Sequence, residues 1–183
     1  MHATVPDMER QVQVVPHDPG WKESFREEAS RLRAIFEQEI IAIHHIGSTS
    51  IPNISAKPII DILVEVRAIG RIDHFNSVMR QHGYRPRGEN GLPGRRYFVK
   101  GSKVLHTHHI HMYERGHPDI ARHLNFRDYL LAHPDEALRY GKLKEALAHQ
   151  FPKDIDTYQS GKAELIQELE GKAARWKAEE AAC

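Results

Sequence analysis

A single cysteine, Cys183, stands in this chain of 183 residues, so no internal disulfide can staple the fold. The same scarcity removes the usual structural zinc sites, which draw on several thiolates, and it fits a reducing, cytoplasmic setting. No run approaches the ~20 apolar residues of a membrane span, and the first residues hold no apolar core of a secretory signal. An excess of charge is missing too: Lys and Arg number 26, Asp and Glu 25, for a net charge of +1. Nothing global therefore argues for nucleic acid or a membrane surface as partner. Repeats and low-complexity linkers are absent, and the length predicts one domain over residues 1–183, long enough to bury a core. Residues 1–10 are polar and are expected to fray. What the chain has in quantity is histidine, 14 in all and several of them clustered.

The stretch that organises the rest is IIAIHHIGSTSIPNISAKPIIDILVEV, Ile40 to Val66. β-Branched residues crowd both of its ends, which favours two strands. Between them Gly47 and Ser48 predict a turn with exposed backbone N–H groups, and such groups beside a helix start suit a phosphate. On the second strand Ile60, Ile62, Val64 and Val66 share one face, whereas Ile59, Asp61, Leu63 and Glu65 share the other. A carboxylate in the middle of a buried strand must be paired, hydrogen-bonded or metal-bound. For Asp61 a salt bridge to a nearby Lys or Arg and a ligand role both stand at this point.

Other elements follow from periodicity. Val12 to Val15 read as a short edge strand. Asp18-Pro19 reads as a helix start, with Trp21, Phe25, Ala29, Leu32, Phe36 and Ile40 on one face of the helix. Ile72, Phe75, Val78 and Met79 give a second helix, over 69–82, that ends at Gly83. Gly88, Gly91, Pro93 and Gly94 turn the chain between two strands, and Arg95 and Arg96 open the second of these on opposite faces. In VLHTHHIHMY, His109 and His111 share a face, a spacing that lets two imidazoles ligate one metal or flank one phosphate. His106 and His108 fall on the Ile110 side and are expected at a solvated sheet end. From about 117 to 180 the chain reads as helical, with Pro118 and Pro134 in first turns and Asp154 capping the last helix. Tyr140 and Lys144 lie four apart on one helix flank.

HIGSTSIPNISAKPIIDILVEV, GLPGRRYFVKG, HTHHIHMYERG, HLNFRDYLLAHPDEALRYGKLKEALA and DIDTYQSGK with the following Trp176 resemble, in order, the bacterial GrpB family, also known as UPF0157. That family is placed in the polymerase-β-like nucleotidyltransferase superfamily, whose core pattern is Gly-Ser followed by Asp on an apolar strand. The resemblance spans Val14 to Trp176. It implies an α+β fold, a nucleotidyltransferase-like mixed β-sheet flanked by helices with a helical C-terminal section. It implies a site in which Gly47 and Ser48 cradle phosphate, Asp61 binds a divalent metal, His109 and His111 complete the site, and Arg96 and Arg127 offset charge. Lys57, just before the second strand, either pairs with phosphate or caps the sheet edge.

Nucleotidyl transfer relies on positioning and charge neutralisation, and active members of the superfamily carry two acids at i, i+2 on the strand. Here Leu63 stands where the second acid belongs. Glu65 is ~13 Å along the strand from Asp61, too far to share a metal. His109 and His111 are the substitutes the sequence offers, and an oxygen-nitrogen donor set favours a transition metal such as Mn, Zn or Ni over Mg. The expected function is a nucleotidyltransferase-like protein that binds a nucleotide or other phosphorylated small molecule and transfers a nucleoside monophosphate. The alternatives are a non-catalytic nucleotide-binding module linked to coenzyme A metabolism, and a metal-dependent hydrolase.

Overall fold

The computed structural model describes residues 11–182. The expected fraying of residues 1–10 and the thiol of Cys183 lie outside the described residues. A five-stranded mixed sheet forms the centre, built from β1 (Ile40–Ile46), β2 (Ile60–Val66), β3 (Tyr84–Pro86), β4 (Arg95–Gly101) and β5 (His106–Glu114). The spatial order is β1-β2-β5-β4-β3, with β2 and β5 parallel and the other neighbouring pairs antiparallel. Because β2 and β5 are parallel, the chain between them must cross over, and it does so through the segment that carries β3 and β4.

The predicted apolar face of β2 is the main core. Ile60, Ile62, Val64 and Val66 pack with Phe98, Ile110 and Met112 of the neighbouring strands. Helix α1 (Trp21–Phe36) covers this face with Trp21, Leu32 and Phe36, and helix α2 (Asn76–Gln81) adds Met79. Two starts differ from expectation. Asp18 does not cap α1; its Oδ1 accepts the Gly20 N–H at 2.8 Å, and the helix opens at Trp21. The segment Ile69–Phe75 winds as a 3₁₀ helix before α2, so only its second half is α-helical. Val15 makes an isolated bridge to Ala56 where an edge strand was expected. One acid on α1 is buried, which periodicity does not foretell: Glu28 accepts from the Tyr84 hydroxyl, from Lys100 Nζ at 2.7 Å and from Arg31 Nη1 at 2.8 Å.

The opposite face of the sheet is divided. Its apolar part, Ile46, Leu63 and Tyr113, is covered by Ile120 and Leu124 of α3 (Pro118–Ala132). Helices α4 (Pro134–Gln150) and α5 (Ile155–Ala182) complete the helical section. Tyr129, Leu130, Tyr140, Leu165 and Leu169 there pack onto Ile51 and Ile54 of the β1–β2 connection. Asp154 caps α5 as expected, its Oδ1 accepting the Thr157 N–H at 2.9 Å. The other part of this face is polar and lies open to a cleft between the sheet and the α4–α5 pair.

Candidate functional site

The cleft begins at Asp61. The parallel register sets Asp61 beside His109 and Leu63 beside His111, so the carboxylate and both imidazoles share one face of the sheet. His111 Nε2 lies 3.2 Å and His109 Nδ1 3.5 Å from the same oxygen, Asp61 Oδ1. An ionised carboxylate only accepts, so these ring nitrogens carry the protons. His106 Nδ1 stands 2.9 Å from His109 Nε2. Burial alone would raise the Asp61 carboxyl, but the hydrogen bonds from His109 and His111 outweigh it and hold the group well below the usual carboxylate range. Tyr97 of β4, in register with His111, sets its ring centroid 5.1 Å from that of His111 and 5.6 Å from that of His109.

Gly47 leaves β1 at φ +71° and ψ −175°, a backbone region that is essentially reserved for glycine. A Cβ at this position would sit 2.7 Å from Asp61 Oδ2. The turn therefore needs glycine twice over, for its conformation and for the closeness of the carboxylate. Ser48–Ser50 then form a single 3₁₀ turn, closed by the Ser50 N–H on the Gly47 carbonyl at 3.1 Å and anchored to β1 where His45 Nε2 meets Thr49 Oγ1 at 2.9 Å.

The far wall comes from the helical section. Tyr140 and Lys144 of α4, and Tyr158 and Lys162 of α5, line the same cleft of about 330 Å³ as Gly47, Ser48, Lys57 and Asp61. Tyr140 is buried and hydrogen-bonds with Ser48; burial lifts its phenol to about 12. Lys144 is only 2% exposed, and its Nζ donates to the Ser55 carbonyl at 2.7 Å. Burial first, then Lys162 and Lys57, lower its ammonium to about 7. Lys57 and Lys162 lie 5.3 and 5.0 Å from the Tyr158 ring centroid.

Of the residues singled out in the sequence, the structure brings Gly47, Ser48, Lys57, Asp61 and His109 to this cleft, with His111 hydrogen-bonded behind Asp61. Two others are elsewhere. Arg96 is on the α1 face of the sheet and forms a bidentate pair with Asp73, at 2.7 and 2.9 Å. Strand alternation puts Arg95 on the cleft face instead, where it stacks on Tyr97 at 4.7 Å and gives its hydrogen bonds to the Glu89 and Asn90 carbonyls. Arg127 binds Asp128 at 2.7 Å and borders a separate hollow with His45 and Phe25. Glu65 is taken by His44 of β1 at 2.9 Å, consistent with a place outside any shared metal site. Among the cleft side chains that were not picked out as site residues from the sequence are Lys144, Lys162, Tyr140 and Tyr158. The signal was in the chain, a Tyr followed four residues later by Lys, once on each of α4 and α5. His123 was missed as well. Its ring is 5.4 Å from that of His111, and burial lowers it to about 3, so it is neutral.

Asp61, His109 and His111 supply the oxygen and nitrogen donors that a divalent metal requires, but they converge on one carboxylate oxygen as hydrogen-bond partners. Among the described residues no group of three or more His, Cys, Asp and Glu side chains is placed to hold a metal ion. A cation held jointly by Asp61, His109 and His111 would require the two imidazoles to release Oδ1.

Comparison with known proteins yields a consistent result. The family model described as GrpB protein matches residues 11–172. The UPF0157 protein YqkA of Bacillus subtilis is 55% identical over 168 residues, which are 92% of this chain and 49% of that protein. The chain thus spans about half the length of that curated relative. The glutamate-rich protein GrpB of Alkalihalophilus pseudofirmus is 34% identical, over 87% of this chain and 94% of its own length. A protein named dephospho-CoA kinase, from Mycolicibacterium paratuberculosis, is 26% identical over 90% of this chain and 46% of its own length. The crystal structure of the conserved protein GrpB from Enterococcus faecalis superposes with a TM-score of 0.87 at 42% identity, covering 90% of this chain and 99% of that one. No helix among the described residues is long and apolar enough to cross a membrane.

Proposed function

We propose, for a chain that belongs to the GrpB family, that the cleft between Asp61 and the α4–α5 wall binds a nucleotide or another phosphorylated small molecule. The observation that carries this reading is the charge of the lining. Three ammonium groups, Lys57, Lys144 and Lys162, stand around one carboxylate, with the Ser48 hydroxyl among them. Like charges gathered in a partly desolvated cleft repel one another, and an anionic ligand turns that repulsion into attraction. The partial match to proteins named dephospho-CoA kinase adds support, since a kinase by that name handles phosphoryl groups.

In its finer form the reading is transfer of a nucleoside monophosphate in the manner of the polymerase-β-like nucleotidyltransferases. Asp61, His109 and His111 would hold a divalent cation, which would supply neutralisation of the phosphoryl charge. The binding-only form is favoured by Leu63, fully buried against Tyr113 and Ile120, so that no second acid can stand beside Asp61. Calorimetric titration with a panel of ribonucleoside triphosphates tests the shared claim. Saturable binding that Ser48→Ala weakens is expected; the absence of binding by any nucleotide would overturn it. Turnover of the bound nucleotide, lost in Asp61→Asn, separates the transferase from the binding module.

A further inference from the structure

We infer that the α4–α5 wall is the seat of a di- or triphosphate group, held by Lys144, Lys162 and the hydroxyl of Tyr158. This rests on the phosphate-ligand reading above and specifies which part of the ligand lies where. Three observations lead to it. First, the two helices present the same device. Tyr140–Lys144 and Tyr158–Lys162 have equal spacing, and each ammonium lies over its own ring, at 4.6 and 5.0 Å. Second, among the described residues no carboxylate forms an ion pair with either Lys144 or Lys162. Elsewhere in the chain partly buried lysines are matched: Lys100 with Glu28 at 2.7 Å, and Lys172 with Glu168 at 2.8 Å. A desolvated ammonium without a counter-charge is costly, and Lys100 and Lys172 have one where Lys144 and Lys162 do not. Third, Tyr158 is 0% exposed and lines the cleft, and among the described residues its hydroxyl has no hydrogen-bond partner. Buried hydroxyls are rarely left so, and this one awaits an acceptor.

The chemistry of that acceptor follows from the count. Two cations on the helices, with Lys57 close by on the β1–β2 connection, call for a ligand with at least two negative charges within one cleft. A single carboxylate would leave repulsion in place; a pyrophosphoryl group removes it and offers enough oxygens for both ammoniums and the phenol. Asp61 stands on the opposite wall and repels the same anion, which steers the phosphates toward the helices. The groups facing Lys144 are Lys57, Lys162, Glu145, Asp61 and the Tyr140 ring. With burial they lower its ammonium to about 7, so a polyphosphate that favours the charged form raises the protonation of Lys144 on binding.

The test is calorimetry with sodium pyrophosphate, tripolyphosphate and orthophosphate in phosphate-free buffer near neutral pH. Pyrophosphate and tripolyphosphate are expected to bind at least tenfold tighter than orthophosphate. Lys144→Met and Lys162→Met should each weaken pyrophosphate tenfold or more, and Tyr158→Phe several-fold. Titration in two buffers of different ionisation enthalpy should show that the wild type takes up more protons, or releases fewer, than Lys144→Met does. Unliganded Lys144→Met should melt no lower than wild type, which shows that it folds. Pyrophosphate binding no tighter than that of orthophosphate, or undiminished in both lysine variants, overturns the inference. Nucleotide binding that Ser48→Ala weakens and both lysine variants leave unchanged overturns it too, while the broader reading stands. No binding of any nucleotide or of pyrophosphate overturns both.

Discussion

Replacing Lys144 by Met should make the unliganded protein more stable, and the gain should vanish as the pH rises. The ammonium is 2% exposed and lowered from 10.5 to about 7, chiefly by burial. For a lysine whose folded-state value is depressed, the unfolded chain binds more protons between those two values, so wild-type stability rises with pH across that window. Below about pH 7 the folded protein carries the whole penalty. At 1.36 kcal/mol per unit, the difference between 10.5 and about 7 amounts to an upper figure of ~5 kcal/mol. Against it stands the charge-assisted hydrogen bond to the Ser55 carbonyl, worth ~1.5–3 kcal/mol, which Met cannot make. The thioether fills a similar volume, so no large cavity term enters. The net expectation is a gain of ~2 kcal/mol at about pH 6, falling through zero and becoming a loss at about pH 10. Urea unfolding at several pH values measures it directly, provided that the midpoint shifts with an unchanged slope. Phosphate must be kept out of the buffer, since an anion in the cleft would supply the missing counter-charge. A variant less stable than wild type at about pH 6, or a difference that ignores pH, would refute the claim that Lys144 is a buried, uncompensated cation.

Three further changes probe the other wall. Ser48→Ala removes one hydroxyl from the cleft and should weaken a phosphorylated ligand by ~1.5–3 kcal/mol with little change in melting temperature; equal affinity in calorimetry would remove Ser48 from the binding role. Asp61→Asn keeps the size of the side chain but not its charge. Where the protein turns over a nucleotide, the rate should fall by orders of magnitude, each 1.36 kcal/mol being about tenfold, and any metal measured by elemental analysis should fall with it. Unchanged turnover and metal content together with a lower melting temperature would instead assign Asp61 a structural role as partner of His109 and His111. Gly47→Ala forces a Cβ toward Asp61 Oδ2 in a backbone region that costs a non-glycine residue ~1–3 kcal/mol, so a lower melting temperature and weaker ligand binding should appear together; an undisturbed melt would show that the turn can relax.

Residue pattern alone determined much of this protein. The alternation along β2 foretold both its core face and the placing of Asp61 on the other face, because side chains on a strand change sides at every residue. The i, i+2 spacing of His109 and His111 likewise determined that they share a face, and Gly47 marked a turn that only glycine can make. Strand pairing was not legible. That Asp61 meets those two histidines depends on the parallel neighbourhood of β2 and β5, a long-range choice made by the crossover between them. The choice between Arg95 and Arg96 was likewise open, since alternation separates the two but does not say which side the cleft is on; the β4–β5 register sends Arg96 to Asp73. The lysine wall was the least readable. Tyr140–Lys144 and Tyr158–Lys162 look in sequence like ordinary helix flanks, where a lysine is normally solvated. Only the docking of α4 and α5 against the β1–β2 connection turned those flanks inward and desolvated two ammonium groups, because burial is a property of what packs over a residue rather than of the residue's own neighbours in the chain.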